Sequence, residues 1–283
     1  MTSVLYDVPG PRAVLRNRII GAVTVLIIAA LIGFVVYRFA VTGQFSAEKW
    51  YVFSFSAVWV QILEATGRTL AAFGAAAVLA LILGFVLAIG RMSDHAWVRI
   101  PVTAVVEILR AVPVLVMMLL MYYGLPVIGV KVEVYWAVVI PLMLYNGSVL
   151  SEVIRAGVEA LPRGQGEAGY AIGLRKSGVM QLILLPQAIR SMLPVIIAQL
   201  VVTLKDTALG FIITYPELLQ YTRRLGVGEG NVIPSLFVAA AIFIAINFAL
   251  STLATRLSVL LSFRTKGRRP AAKEAVAMDA AST

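Results

Sequence analysis

Six stretches of this chain are apolar over close to the length that a helix needs to cross a bilayer. The hydrocarbon layer takes roughly 20 such residues, and the runs are Ile19–Phe39, Thr69–Ile89, Ile100–Tyr123, Val134–Ile154, Leu182–Leu204 and Val232–Leu253. The third and fifth are interrupted by charge or proline. Clustering of this kind is not required by a soluble core. Only 13% of the 283 residues are charged, against 60% hydrophobic, and the mean hydropathy is +0.93. A soluble domain carries nearer a quarter charged residues. The expectation is an all-α, polytopic membrane protein with six transmembrane helices.

The net charge of +10 follows from 24 Lys+Arg against 14 Asp+Glu. Most of the excess sits beside or between apolar runs, where positive charge sets topology rather than binding nucleic acid. With the N-terminus inside, the inner segments hold Arg12, Arg16, Arg18, Arg91, Arg99, Arg155, Arg163, Arg175 and Lys176. The C-terminal tail adds Arg264, Lys266, Arg268, Arg269 and Lys273, whereas the outer loops hold only Lys49, Lys131, Arg223 and Arg224. Both termini are therefore expected to be cytoplasmic. The first run exceeds the 7–15 residues of a signal-peptide core and reads as a helix. The chain has no Cys and one His, His95, so disulfide frameworks, thiol chemistry and multi-His metal sites are excluded. No Gly-x-x-x-x-Gly-Lys-[Ser/Thr] loop for nucleotide phosphates occurs either. If transport is driven by ATP, another chain must hydrolyse it.

The inner segment from 155 to 181 is long and amphipathic. Within it, Gly164, Gly166, Gly169 and Gly173 leave little bulk on one side, while Ala168, Ala171 and Ile172 give a small apolar stripe at helical spacing. Leu185-Pro186 marks re-entry into the bilayer, since Pro is tolerated in a helix's first turn. An amphipathic helix lying on the membrane places bulky Leu, Phe or Trp in lipid. A helix of glycine and alanine suits a protein groove better, so docking to a partner is the favoured reading.

Glu167-Ala168-Gly169, then Gly173, Ile183 and Leu185-Pro186 resemble the signature loop of bacterial ABC importer permeases. That pattern is Glu-Ala-Ala, three residues, Gly, nine residues, Ile, any residue, Leu-Pro. The one departure is Gly169 for the second Ala, at a cost of about 1 kcal/mol in helix propensity with the small-residue contact kept. Glu107 to Pro113, Tyr122 to Pro126, Leu144 to Gly157 and Leu204 to Leu209 are similar to the polar amino-acid permeases, most of all to actinobacterial glutamate-import permeases. The resemblance implies a five-helix permease domain at about 67–257 whose 164–173 loop couples to an ABC ATPase dimer. An N-terminal tail, added helix and outer loop (1–66) and a disordered basic tail (258–283) flank it. It further implies a homologous second permease, in a heterodimer or a homodimer, and an extracytoplasmic amino-acid-binding protein. ATP and Mg would be bound by the ATPase, with no cofactor in this chain. The rival readings are an ATP-independent amino-acid carrier, and a membrane scaffold or receptor that recruits a soluble partner.

Charge inside a span costs about 2.5–3.5 kcal/mol at its centre and marks functional candidates. Arg110 lies some ten residues into its run, about 15 Å by helical rise, and is expected near mid-membrane with Glu107 one turn before it. Either Arg110 lines the translocation path and meets a substrate carboxylate, or it pairs with Glu107 to hold the helix. Asp206 and Thr207, beside Lys205, offer either a polar gate or caps for the next short helix. Tyr145 and Asn146 can bond between helices or line the path. Glu152, Arg155, Glu167 and Arg190 are expected to cluster around the coupling loop and brace it.

Overall fold

A computed structural model describes residues 10–263, with side chains to 256. Its described residues are helical, with no strand among them. Helix α1 (Pro11–Val41) starts on a proline, which suits a first turn, and buries none of its residues. A helix that is apolar all round and unburied in its own chain faces lipid or another protein. A short α2 (Ala47–Trp50) and one 3₁₀ turn lead into α3 (Ser56–Arg91). In that link the indole N–H of Trp50 donates to Gln44 O at 2.9 Å and that of Trp59 to Phe53 O at 2.8 Å.

The centre of the molecule is the contact of α3 with α7 (Val134–Glu159). They meet through glycine. A Cβ on Gly84 would fall 2.8 Å from Leu150 Cβ and 2.9 Å from the Gly147 carbonyl, and one on Gly147 would fall 3.0 Å from Leu83. Small residues let backbones approach where lipid offers no hydrophobic drive to pack. Ala72 and Ala76 share a cluster with Ala137 and Leu142, and Ala88 one with Ile154. Numbers rise together on both helices, so they run parallel.

Between two parallel helices the chain must return. It does so through α4 (Ala96–Ala111) and α5 (Val114–Leu119), the latter continuing in a π turn and α6 (Leu125–Val127). The third apolar run is thus not the single helix expected. Its two halves are bent by 94°. Pro113 clashes with a helical predecessor, and Val112 is extended at φ −86°, ψ 124°.

Beyond α7 lie α8 (Arg163–Ala171), α9 (Lys176–Gly178), a π-helical stretch and α10 (Leu185–Asp206). A 3₁₀ segment, α11 (Leu218–Gly228) and α12 (Val232–Phe263) complete the described chain. Leu185 packs with Ala88 and Ile154, Ile196 with Ala80 and Leu150, and Ile213 with Ala72 and Leu142. The α10 segment therefore runs antiparallel to α3 and α7. The end holding α8 is called the loop end below, and the opposite end the far end. Phe39 of α1 and Phe237 of α12 meet edge-on at 5.7 Å at the far end.

Among the described residues, five helical segments are long and apolar enough to cross a membrane, or six if the bent pair counts as one span. Helix α12 runs on to Phe263, into the stretch expected as a tail from 258. The rest of that tail, 264–283, and the first nine residues lie outside the described residues.

Candidate functional site: the loop end of the bundle

Helix α8 is short and ends on a defined cap. Gly173 has φ +83°, the left-handed conformation that glycine adopts without strain. Its N–H donates to Tyr170 O at 2.9 Å, and that of Leu174 to Gly169 O at 3.1 Å. Gly169 is buried, and a Cβ there would lie 2.8 Å from Ile183 Cδ1 and 2.9 Å from Val179 Cγ2. These two glycines serve the loop's own packing and turn, whereas Gly164 and Gly166 have open space beside them. The departure from Glu-Ala-Ala at 169 thus has a local reason: Val179 fills the room that an alanine methyl needs. Glu167, Ala168, Tyr170 and Ala171 are exposed, and Ile172 is 75% exposed. Behind the helix, buried Leu185 ties the segment to α3 and α7, and Pro186 sits in the first turn of α10. The Lys176 ammonium pairs with Asp94 on the α3–α4 turn and holds its carboxyl below the usual range.

Deeper at the loop end lies a charge network on three helices. The Arg91 guanidinium, with its side chain only 8% exposed, donates to Glu152 Oε2 at 2.5 Å and to Glu107 Oε1 at 3.4 Å. Arg110 stands 3.8 Å from Glu107 and 3.9 Å from Glu152. Arg155 bonds Glu152 Oε1 at 2.5 Å and also pairs with Glu159. Three arginines face three glutamates, so burial is compensated, although Arg91 Nε keeps no partner. The expected position of Arg110 needs correcting. It lies in the last turn of α4, just before the break at Pro113, and not ten residues into one straight helix. The expected grouping changes too: Glu152 and Arg155 join Arg91, Glu107, Arg110 and Glu159, while Glu167 and Arg190 are exposed and make no ion pair among the described residues.

Within the bundle, Asn146 is fully buried; its amide donates to Leu142 O at 2.8 Å and its oxygen accepts from Gln199 of α10 at 2.8 Å. Tyr145 is half-buried against the cluster that joins α5 and α7. At the far end Thr207 is buried, with its hydroxyl donating to Leu204 O at 2.6 Å. Asp206 is half-buried at the end of α10 and has no side-chain bond among the described residues.

One far-end residue escaped sequence reading. Glu217 is wholly buried and caps α11, accepting from the backbone N–H groups of Leu219 and Gln220 at 2.7 Å each. Burial pushes its carboxyl up to about 7, against the pull of those two donors. Beside it the Tyr215 hydroxyl donates to Arg68 O at 2.9 Å, and Leu218 N–H to Thr69 Oγ1 at 3.1 Å. An acid directly before an apolar helical run is a cap signal, visible in Pro216-Glu217-Leu218. No group of three or more His, Cys, Asp or Glu is placed to hold a metal among the described residues.

The family described as the binding-protein-dependent transport system inner membrane component matches residues 80–265. The chain belongs to that family. This permease is 38% identical over 219 residues to the glutamate transport system permease protein GluD of Corynebacterium glutamicum, covering 76% of this chain and 80% of that one. It is 34% identical to the probable glutamine ABC transporter permease protein GlnP of Bacillus subtilis, over 56% of this chain and 74% of that protein. A crystal structure of an amino acid ABC transporter with histidines superposes with a TM-score of 0.68 at 25% identity, over 73% of this chain and 96% of that one. An inward-facing structure of the MetNI methionine ABC transporter shares the fold, with a TM-score of 0.63 at 16% identity. The permease is accordingly a membrane-embedded transport component, not an enzyme.

Proposed function

We propose that this permease carries glutamate or a related polar amino acid inward across the cytoplasmic membrane, driven by a separate ATPase. The observation that carries the reading is its 38% identity to a glutamate permease over 80% of that protein's length. An ABC ATPase dimer, which would hold the ATP and Mg, docks at the loop end. A homologous second permease, in a heterodimer or a homodimer, completes the pore, and an extracytoplasmic binding protein delivers the amino acid at the far end. Both termini are cytoplasmic, and the chain crosses once between the end of α3 and the start of α7, giving six spans. Residues 67–257 form the shared five-helix domain, with α1 a peripheral addition.

The coupling surface is the exposed face of α8, from Gly164 and Glu167 through Ala168 and Ile172. Support comes from the way this helix is held. Gly169 seats it on Val179 and Ile183, and Leu185 links that segment to Ala88 and Ile154. A push on α8 therefore reaches α3, α7 and α10 through side chains already in contact. Glu107, Arg110, Tyr145, Asn146, Asp206 and Thr207 remain the pathway candidates. Arg110 and Glu107 belong to an inner gate, and half-buried Asp206 to an outer edge.

The test is purification of the full chain from its native membrane, as it stands and as Ile172→Asp. The unaltered chain should bring down an ATPase, a second permease subunit and a binding protein. Ile172→Asp should lose the ATPase at least tenfold while still inserting. If the unaltered chain purifies alone and stable, the docking role of α8 is wrong.

A further inference from the structure

The geometry points to α4 as a helix that lies in the plane of the membrane interface at the loop end, with one face bound to lipid, rather than as half of a crossing. Three observations meet here, and they depend on membrane embedding, not on which substrate is carried.

The first is direction. The segment after the break, α5 to α6, returns alongside α7: Val114 and Met118 share a cluster with Ala137 and Leu142 near the start of α7. Helix α7 is itself a span. A bend of 94° from a segment that follows a span leaves α4 close to parallel with the membrane surface. The second is level. Gly90 and Arg91, the last residues of α3, meet Val102 and Glu107 of α4, and Arg110 reaches Glu152 in the loop-end half of α7. Helix α4 thus crosses the end of α3 instead of descending beside it.

The third is the distribution of side chains around α4. Val102 and Val106 face the protein, with Val106 fully buried. On the opposite face, Trp97, Ile100 and Ile108 are 77%, 65% and 63% exposed, with Ala104 between them. At 3.6 residues per turn these four fall on one stripe. Arg99 and Arg110 lie on one edge beside the protein-facing side and turn to protein partners, Arg99 donating to Ser93 O at 3.2 Å and Arg110 standing near Glu107 and Glu152, so neither interrupts the stripe. The stripe begins with a tryptophan, the side chain enriched at membrane–water boundaries, here stacked on His95 with ring centroids 6.0 Å apart. An aqueous face would not carry such a stripe. With its charges turned to the protein, the helix leaves an unbroken apolar stripe headed by an interfacial tryptophan, which suits the boundary of headgroups and acyl chains.

The chain contains no cysteine, so single cysteines can be introduced directly. Trp97, Ile100, Ala104 and Ile108 would each be replaced by Cys in the full transporter, reconstituted in lipid vesicles and spin-labelled. Depth is then read from relaxation by oxygen against a water-soluble nickel chelate. Labels at the four sites should lie at one shallow depth, within about one helical turn, and be open to oxygen. Labels at Val78, Ile82 and Val86 on α3 should instead step through the membrane. A steady change along α4, approaching the about 16 Å of rise between 97 and 108, would make it part of a crossing. Labels shielded from both reagents would mean that a protein subunit, not lipid, covers the stripe. Either result overturns the inference.

Discussion

Glu217 and Gly84 show how single residues set the terms for this permease. An unfolded glutamate titrates near 4.3, whereas burial raises the Glu217 carboxyl to about 7. Its folded form therefore holds the proton more tightly. The stability that this supplies is complete below the unfolded value and is lost as pH rises from there through about 7. Thermal unfolding of the purified complex should show a higher midpoint at pH 5 than at pH 8 from this group. Glu217→Gln should flatten that difference, because the amide stays neutral and still accepts at the cap. An unchanged slope would place the titration elsewhere. Gly84 is simpler. Its missing Cβ is occupied by Leu150 and the Gly147 carbonyl, so Gly84→Val overpacks the contact at a cost of about 1–3 kcal/mol. A lower melting temperature in detergent is the expected result, and an unaltered one would mean that the helices do not approach this closely. Gly84 lies within an apolar run, where nothing in the local pattern marks which small residue forms the crossing. Glu217 escaped the sequence reading: Pro216-Glu217-Leu218 carries a cap signal, but its burial depends on the segment around Arg68 and Thr69, far away in the chain.

At the level of elements, the charge network binds α3, α4 and α7 at the loop end. Removing one member of a buried pair costs about 3–5 kcal/mol, because the other charge is left uncompensated. Glu152→Ala leaves buried Arg91 with only its longer contact to Glu107 and should lower stability. Pairing it with Arg91→Met should restore most of the loss, and a double variant as unstable as the single one would argue against the coupling. Arg110 separates two roles. Arg110→Lys keeps the charge but loses the planar fork that can meet a carboxylate in two bonds, so assembly should persist while uptake falls. Unaltered uptake would leave Arg110 as a structural pair with Glu107. The apolar runs were readable because each needs only length and composition. The break in the third run was not read, although Pro113 stands in it. Proline within a span is often tolerated when neighbours satisfy the freed backbone groups, so its presence alone does not decide between a kink and a right-angle turn. The loop proposed to couple to an ATPase stands out in the sequence as a spaced motif. The duties of Gly169 and Gly173 within it do not, because they depend on Val179 and on a left-handed cap.

Across the whole molecule, three side-chain layers run from the far end to the loop end, the first joining α3, α5, α7 and the 3₁₀ segment after α10, the other two joining α3, α7 and α10. Helix α8 sits on the outermost of them through Val179, Ile183 and Leu185. On the proposed reading, a load applied to its exposed face would pass to the spans through these side chains, as ATP-driven alternation of the pore requires. Helix α1 stands apart from these layers, with no residue buried, so its removal should alter membrane retention more than coupling. The central claim is that this chain moves an amino acid only when an ATPase pushes on α8. The most direct measurement is uptake of labelled glutamate by vesicles holding the complete transporter and its binding protein. Uptake should require ATP, and it should be abolished by Ile172→Asp with the permease still inserted. Uptake that continues without ATP, or that survives this substitution at full rate, would contradict the account.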